Sequence, residues 1–285
     1  MKFQSYDTYY LGAQRTKLYL RYWIPDQPKA LVILVHGAGE HSGAFSHVAM
    51  KALQNQIAFI APDLRGFGQS EGPRGHISCF TEYLEDLDLL IKLVKIDFQK
   101  TPLFLLGHSL GGLIVIRYVQ EYSNHINGII LSSPAIALKK PLPKSINMII
   151  ELFSWLTPDL TVNPFRWYIH LKKISWLDPI LPKGSMQMLN DPLANKLYTP
   201  RWLTELLHHG NQAMVKVANI TQPTFCLCGK KDPIIDPKMI KSFVDAIPLQ
   251  DKAYAEIIDG GHCPLYEPYQ DQAINLIFRW VDHYL

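Results

Sequence analysis

A mostly parallel β-sheet covered by helices on both faces is the fold class this chain predicts, on three observations. Short apolar runs bounded by turn residues alternate with longer amphipathic stretches. Most of those runs are apolar almost throughout, the pattern of strands buried on both faces. Residues 103–106 then run into Gly107-His108-Ser109-Leu110-Gly111 and a helix-compatible stretch. This last sequence has the form of a strand, a sharp turn presenting a serine, and a helix.

The elements follow in order. Residues 3–23 hold no helix between their extended segments and predict an antiparallel hairpin at the sheet edge, with 18–23 its second strand. Strands are expected over 31–35, 57–61, 103–106 and 128–131, with helices over 45–54, 80–98 and 112–121 between them. From about Ala135 to His209 the rhythm breaks into a segment rich in Pro, Trp, Leu and Lys with irregular helical patterns. Loops at the carboxyl ends of parallel strands overhang the cleft of such folds. Residues 135–209 are therefore expected to form an inserted helical cap, and 1–134 with 210–285 the core. The rhythm resumes with strands over 224–228 and 253–258 and helices over 238–246 and 269–283. No internal repeat or low-complexity tract interrupts it.

Bulk properties exclude several classes. At 285 residues the chain can bury a large core, and 48% hydrophobic with 19% charged residues is ordinary for a globular protein. The formal charge is only +3 and the basic pairs are scattered, so nucleic acid is not an expected partner. Cys79, Cys226, Cys228 and Cys263 have neither zinc-ligand spacing nor disulfide-scaffold density, and no metal or organic cofactor is implied. Cys226 and Cys228 alternate inside an apolar run and read as small core residues on one strand face. The N-terminus lacks the apolar stretch of a secretory signal, and no segment approaches the ~20 apolar residues of a membrane span. A cytoplasmic, reduced protein is the expectation, with oligomeric state unassigned.

The chemistry starts at Ser109. At the tip of a tight turn its backbone must be strained so that the hydroxyl points into a cleft, and Gly107 and Gly111 stand where side chains would collide with neighbouring elements. A serine hydroxyl needs a base within hydrogen-bond reach. His262, in Gly260-Gly261-His262 directly after a strand, is the candidate among eleven histidines. A solvent-facing loop histidine is the plain alternative. His108 cannot aim at its neighbour's hydroxyl and is expected to pack beneath the turn. The base needs an acid to hold its tautomer. Asp232 lies just past the strand 224–228, with Asp236 four residues further on as the other candidate. Ser109, Asp232 and His262 follow the chain order of an α/β-hydrolase triad. The developing oxyanion needs backbone N–H donors. Leu110 is placed to supply one, and Ala38, in the small-residue turn His36-Gly37-Ala38-Gly39, the other. Asp63, in Asp63-Leu64-Arg65-Gly66, reads as structural, part of a tight turn stitched by Asp and Arg hydrogen bonds.

Together these motifs resemble the monoacylglycerol lipase and lysophospholipase branch of the α/β-hydrolase superfamily. The resemblance runs through His36-Gly37-Ala38-Gly39-Glu40-His41-Ser42-Gly43, Gly68-Gln69-Ser70-Glu71-Gly72 and the serine turn. It continues through Asn190-Asp191-Pro192-Leu193 to the Asp232 and His262 loops. It implies an eight-stranded sheet, a Ser109–His262–Asp232 triad, an oxyanion hole from Ala38 and Leu110, and cleavage of long-chain carboxylic esters by acylation and deacylation. It also implies substrate-binding positions at Gly37, Glu40 and His108, with Glu40 near the leaving alcohol. Two departures stand out. Ala44 replaces an arginine common in monoacylglycerol lipases, and Leu265 replaces a second histidine of the eukaryotic enzymes. Both imply a more apolar headgroup pocket.

The expected reaction is serine hydrolysis of single-chain lipid esters, monoacylglycerols or lysophospholipids. A general carboxylesterase, a thioesterase or a proline-directed peptidase would use the same triad, and a binding protein could use the same cleft without catalysis. Residues 145–156 are strongly apolar and follow Lys139, Lys140 and Lys144. They read either as an interfacial lid making peripheral membrane contact or as a helix packed over the core.

Overall fold

The structure is a computed structural model, and it describes residues 2–122, 126–163, 190–266 and 268–285. Its strands are β1 (Phe3–Leu11), β2 (Lys17–Pro25), β3 (Ala30–Val35), β4 (Ile57–Pro62), β5 (Leu103–His108), β6 (Gly128–Ser132), β7 (Thr224–Gly229) and β8 (Lys252–Ile257). They form one eight-stranded sheet in the order β1-β2-β4-β3-β5-β6-β7-β8. The expected edge hairpin is present, with Phe3 opposite Pro25 and Leu11 opposite Lys17. β2 joins β4 antiparallel, and every later neighbour pair is parallel.

The described helices are α1 (Ser46–Gln54), α2 (Thr81–Asp97), α3 (Leu110–Glu121), α4 (Lys144–Leu156), α5 (Pro200–Val215), α6 (Pro237–Ala246) and α7 (Gln270–Asp282). They explain why the strands read as continuous apolar runs. In β3, Leu31, Ile33 and Val35 pack with α2, α3 and α6 on one face of the sheet. Val32 and Leu34 pack with α1 and α7 on the other. β5 and β7 divide the same way, and Cys226 and Cys228 both face the α2–α3–α6 side, as expected of core residues. Both faces are dry, so neither parity of the strand needs a polar residue.

Two strand ends differ from expectation for local reasons. β5 continues through Gly107 and His108 because both pair with β6, opposite Leu131 and Ser132. β8 stops at Ile257, and Ile258 turns outward, 67% exposed.

α4 and α5 lie against each other in the insertion. Thr199 caps α5 by accepting the Trp202 N–H, and Pro200 supplies a first turn that needs no donor. α5 runs unbroken across residue 209, with Trp202 and Ala213 both in the core. α4 has a single buried residue, Ser154. Residues 164–189, the middle of the expected cap, lie outside the described residues. No helix among the described residues is long and apolar enough to cross a membrane.

Candidate active site

Ser109 sits between β5 and α3 with φ +51° and ψ −113°, a backbone conformation that costs on the order of 1–3 kcal/mol and persists only where its surroundings enforce it. Here they do. The Ser109 N–H donates to the Ser132 carbonyl at 2.9 Å, and its own carbonyl accepts from the N–H groups of Leu113 and Ala135. The flanking glycines permit the turn. A Cβ on Gly107 would lie 2.4 Å from the Gly111 carbonyl oxygen, and one on Gly111 would lie 1.9 Å from that of Val35. Nothing larger than hydrogen fits at either position.

The loops after β7 and β8 bring Asp232 and His262 to this serine. They meet because Gly229 has no side chain; a Cβ there would fall 2.0 Å from the Gly261 carbonyl oxygen. The loops are then stitched by Lys230 N–H to Ile257 O and Lys231 N–H to Gly260 O, each 2.9 Å. His262 Nδ1 lies 2.8 Å from Asp232 Oδ2, and its Nε2 lies 2.9 Å from Ser109 Oγ. Asp232 is fully buried. Its other oxygen accepts from the N–H groups of Ile234 and Ile235 at 2.8 and 2.9 Å. Burial alone would raise this carboxyl's pKa, but the His262 hydrogen bond and charge and the two backbone N–H groups outweigh it and hold it below the usual range. An ionised Asp232 fixes the ring proton on Nδ1, leaving Nε2 to accept from the serine. Asp236, the other candidate acid, instead caps α6 by accepting the Lys238 N–H.

Leu110 follows Ser109 directly, and the turn that carries Ala38 approaches Ser109 through Gly37. Leu110 opens α3, where the first N–H groups have no intrahelical acceptor. The Ala38 turn approaches so closely that a Cβ on Gly37 would lie 3.2 Å from Ser109 Cβ. Neither amide donates to a protein acceptor among the described residues.

The residues around that turn form a buried polar scaffold. His36 is neutral, because burial pushes its pKa down. Its Nδ1–H donates to Gly37 O at 2.8 Å, while Nε2 accepts the Leu64 N–H at 2.9 Å, tying the turn to the loop after β4. Within that loop Asp63 accepts from the N–H groups of Ser42 and Gln69 and is structural. Arg65 does not join this stitch. It reaches α2 and binds both oxygens of Asp86 at 2.7 and 2.8 Å.

Glu40 and His108 are both buried beside this turn, 4% and 1% exposed, and each makes hydrogen bonds within the scaffold. Glu40 accepts the Gly37 N–H at 2.7 Å and the Tyr266 hydroxyl at 3.1 Å, so Gly37 also spends its donor on this scaffold. His108 Nδ1 lies 3.1 Å from Ser132 O, and burial pushes its pKa down as well. Tyr266 was not expected from the sequence; only its position after Leu265 in the His262 loop hints at it. Leu265 itself is fully buried against α1 and α7, and the half-buried Ala44 packs on the same cluster. Glu40, His108 and Cys263 bring possible metal-ligating atoms within 4.8 Å of one another. Glu40 is already committed to two donors, and burial holds the Cys263 thiol protonated.

A cleft of about 290 Å³ lies between the loop after β6, α4, α5 and Ile235. It reaches Ala135, whose N–H donates to the Ser109 carbonyl, while Ser109, His262 and Asp232 are not among its described lining residues. Among the described residues, Ala135, Ile136, Leu138, Leu142, Leu206 and Leu207 make it apolar, Asn147 and Asn211 are its polar side chains, and no charged residue lines it.

Comparison with known proteins agrees with this architecture. The family described as Serine aminopeptidase, S33 (Hydrolase_4) matches residues 26–269. A phospholipase of Bacillus subtilis is 28% identical over 92% of this chain and 99% of its own length. The monoacylglycerol lipase of Mycolicibacterium smegmatis is 26% identical over 97% of this chain and 96% of its own. Human monoglyceride lipase is 25% identical over 95% and 88%. Among solved structures, a Paleococcus ferrophilus monoacylglycerol lipase superposes with a TM-score of 0.77 at 24% identity, covering 99% of this chain and 100% of that one. A Saccharomyces cerevisiae monoglyceride lipase bound to a substrate analogue gives 0.80 at 22%, covering 97% and 94%.

Proposed function

The chain belongs to the Hydrolase_4 family of α/β-hydrolases, and from that membership we propose that it is a serine hydrolase of single-chain lipid esters, with Ser109, His262 and Asp232 as its catalytic triad. The observation that carries the reading is the single imidazole bridging Ser109 Oγ and Asp232 Oδ2 at 2.9 and 2.8 Å. Ser109 Oγ attacks the ester carbonyl as His262 Nε2 takes its proton, and Asp232 stabilises the resulting imidazolium. The amides of Ala38 and Leu110 receive the oxyanion. The tetrahedral intermediate expels the alcohol, which takes the proton from His262, and a water activated by the same ring releases the fatty acid.

Lipid selectivity is the second half of the proposal. The apolar cleft that begins at Ala135, bonded to the Ser109 carbonyl, takes the acyl chain, each buried methylene contributing roughly 0.8 kcal/mol. Relatives named for phospholipid and monoacylglycerol hydrolysis support this substrate class. The described parts of the insertion, α4 and α5, wall the cleft on the cap side.

The cap also meets the lipid surface. Along α4, Met148, Ile149, Leu152, Phe153, Trp155 and Leu156 are between 43% and 75% exposed. Lys139, Lys140 and Lys144 precede or open the helix, the pairing that favours interfacial binding.

The test is labelling with a long-chain phosphonate followed by turnover of monoacylglycerol and lysophosphatidylcholine. Label on Ser109 and turnover of at least one lipid are expected. An unlabelled Ser109 would return the cleft to a binding role.

A further inference from the structure

Residues 190–199 form a strap that leads from the cap into α5, and it is sewn to two core loops. The Thr199 N–H donates to Gly75 O at 3.0 Å, and a Cβ on Gly75 would lie 1.8 Å from Leu197 O. The Asn195 N–H donates to Gly39 O, also at 3.0 Å, within the turn that carries Ala38.

His76 Nδ1 also lies 3.0 Å from Thr199 Oγ1. A further tie is made by two side chains outside the triad. His41 Nε2 lies 2.8 Å from Asp191 Oδ2. His41 Nδ1 accepts the Gly43 N–H at 3.2 Å, so in the neutral ring the proton sits on Nε2 and is donated to Asp191. Asp191 is itself steadied by the Leu193 N–H on its other oxygen, at 2.8 Å. The turn from Gly37 to His41 is therefore gripped at three points. Glu40 holds Gly37 from behind, while Asn195 and Asp191 hold Gly39 and His41 from the cap side. Ala38 lies between those grips.

We infer that His41 and Asp191 are positioning residues for the oxyanion turn, a strut through which docking of the cap strap sets the amide of Ala38. The inference rests on the catalytic reading of Ser109 and Ala38. Losing an oxyanion donor outright costs about 10²–10³ in kcat, and a turn left loose on one side costs part of that. Ester cleavage is thus fast only while the strap is seated, and long-chain substrates that organise the cap organise the turn as well.

A purely structural role in the cap would disturb only binding of the long acyl chain. The strut predicts a loss for a short ester too, which has no need of the acyl cleft. The experiment measures kcat and KM for p-nitrophenyl butyrate and for a long-chain monoacylglycerol, normalised to sites titrated to completion with a fluorophosphonate. In Asp191→Ala, kcat is expected to fall about tenfold on both substrates, with KM for the short ester within about twofold of wild type. Asp191→Asn keeps an acceptor for Nε2–H and should recover most of the loss. His41→Gln combined with Asp191→Ala should be no slower than His41→Gln alone, and His41→Gln carries the same prediction if Asp191→Ala does not fold. An undiminished short-ester kcat, or a change confined to KM for the long substrate, overturns the strut. A wild-type protein that cleaves neither ester would remove the catalytic reading instead.

Discussion

Around Ser109 a single methyl group is too much, whereas along α4 whole aromatic side chains stand in solvent. A Cβ on Gly111 would sit 1.9 Å from a backbone oxygen, while Trp155 and Met148 of α4 are 75% and 70% exposed. The elbow, the turn from Gly107 to Gly111 that presents Ser109, is specified by close approach of backbone to backbone, which only a few residue types permit. The cap helix is specified by an apolar outer face, which many residue types could provide. Substitutions in the first region should therefore be felt by folding and chemistry together. Those in the second should be felt in the proposed contact with lipid.

The largest effects should sharpen the elbow side. Ser109→Ala and Asp232→Asn are each expected to lower kcat by about 10⁴-fold or more, with little change in the urea midpoint. Asp236→Asn, at the α6 cap, should stay within a few-fold of wild type, and comparable losses at both aspartates would break the assignment. Gly111→Ala comes next. The clash with Val35 O should cost more than about 2 kcal/mol of stability in urea denaturation, with activity lost alongside. A well-folded, active Gly111→Ala would contradict the account of the elbow.

Acid should act through three histidines, two buried beside the serine turn and one half-buried on α5. Burial lowers the pKa of His36, of His108 and of His209, the last to about 4, with Arg117 adding to the effect. Each histidine has a folded value below its unfolded one, so its contribution is fully present above about pH 6.5 and is lost as pH falls toward the folded value. The limiting slope is about 1.4 kcal/mol per pH unit for each histidine kept neutral. Melting at successive pH values should show stability falling below about pH 6.5, and His209→Gln should flatten part of that fall. A melting temperature constant down to pH 4.5 would count against the buried neutral rings.

The smallest effect on folding belongs to α4. The pair Phe153→Asp and Trp155→Asp should leave stability within about 0.5 kcal/mol per site while reducing co-sedimentation with anionic liposomes. Equal liposome recovery would leave the exposed face without its lipid role.

The same contrast decides how much was legible in the sequence. β3, β5 and β7 and the order Ser109, Asp232, His262 were readable because each depends on local signals: an apolar run, a glycine on either side of a serine, a loop directly after a strand. The scaffold was not. Glu40 meets Tyr266 across 226 positions and His41 meets Asp191 across 150, so only the folded chain reveals that Glu40 braces the turn. Arg65 was misjudged for a related reason, since its partner Asp86 lies on a helix that packs beside the loop rather than within it. The motif strings marked the right segments without saying which side chains face the cleft.

The central claim joins the two regions: a strained serine cleaves esters whose acyl chain the apolar cap selects. The most direct test is kcat/KM across an acyl-length series of monoacylglycerols and matching lysophosphatidylcholines, with Ser109→Ala as control. The account predicts a steep rise with chain length that the mutant abolishes. A flat series, or an optimum at the shortest acyl groups, would contradict it.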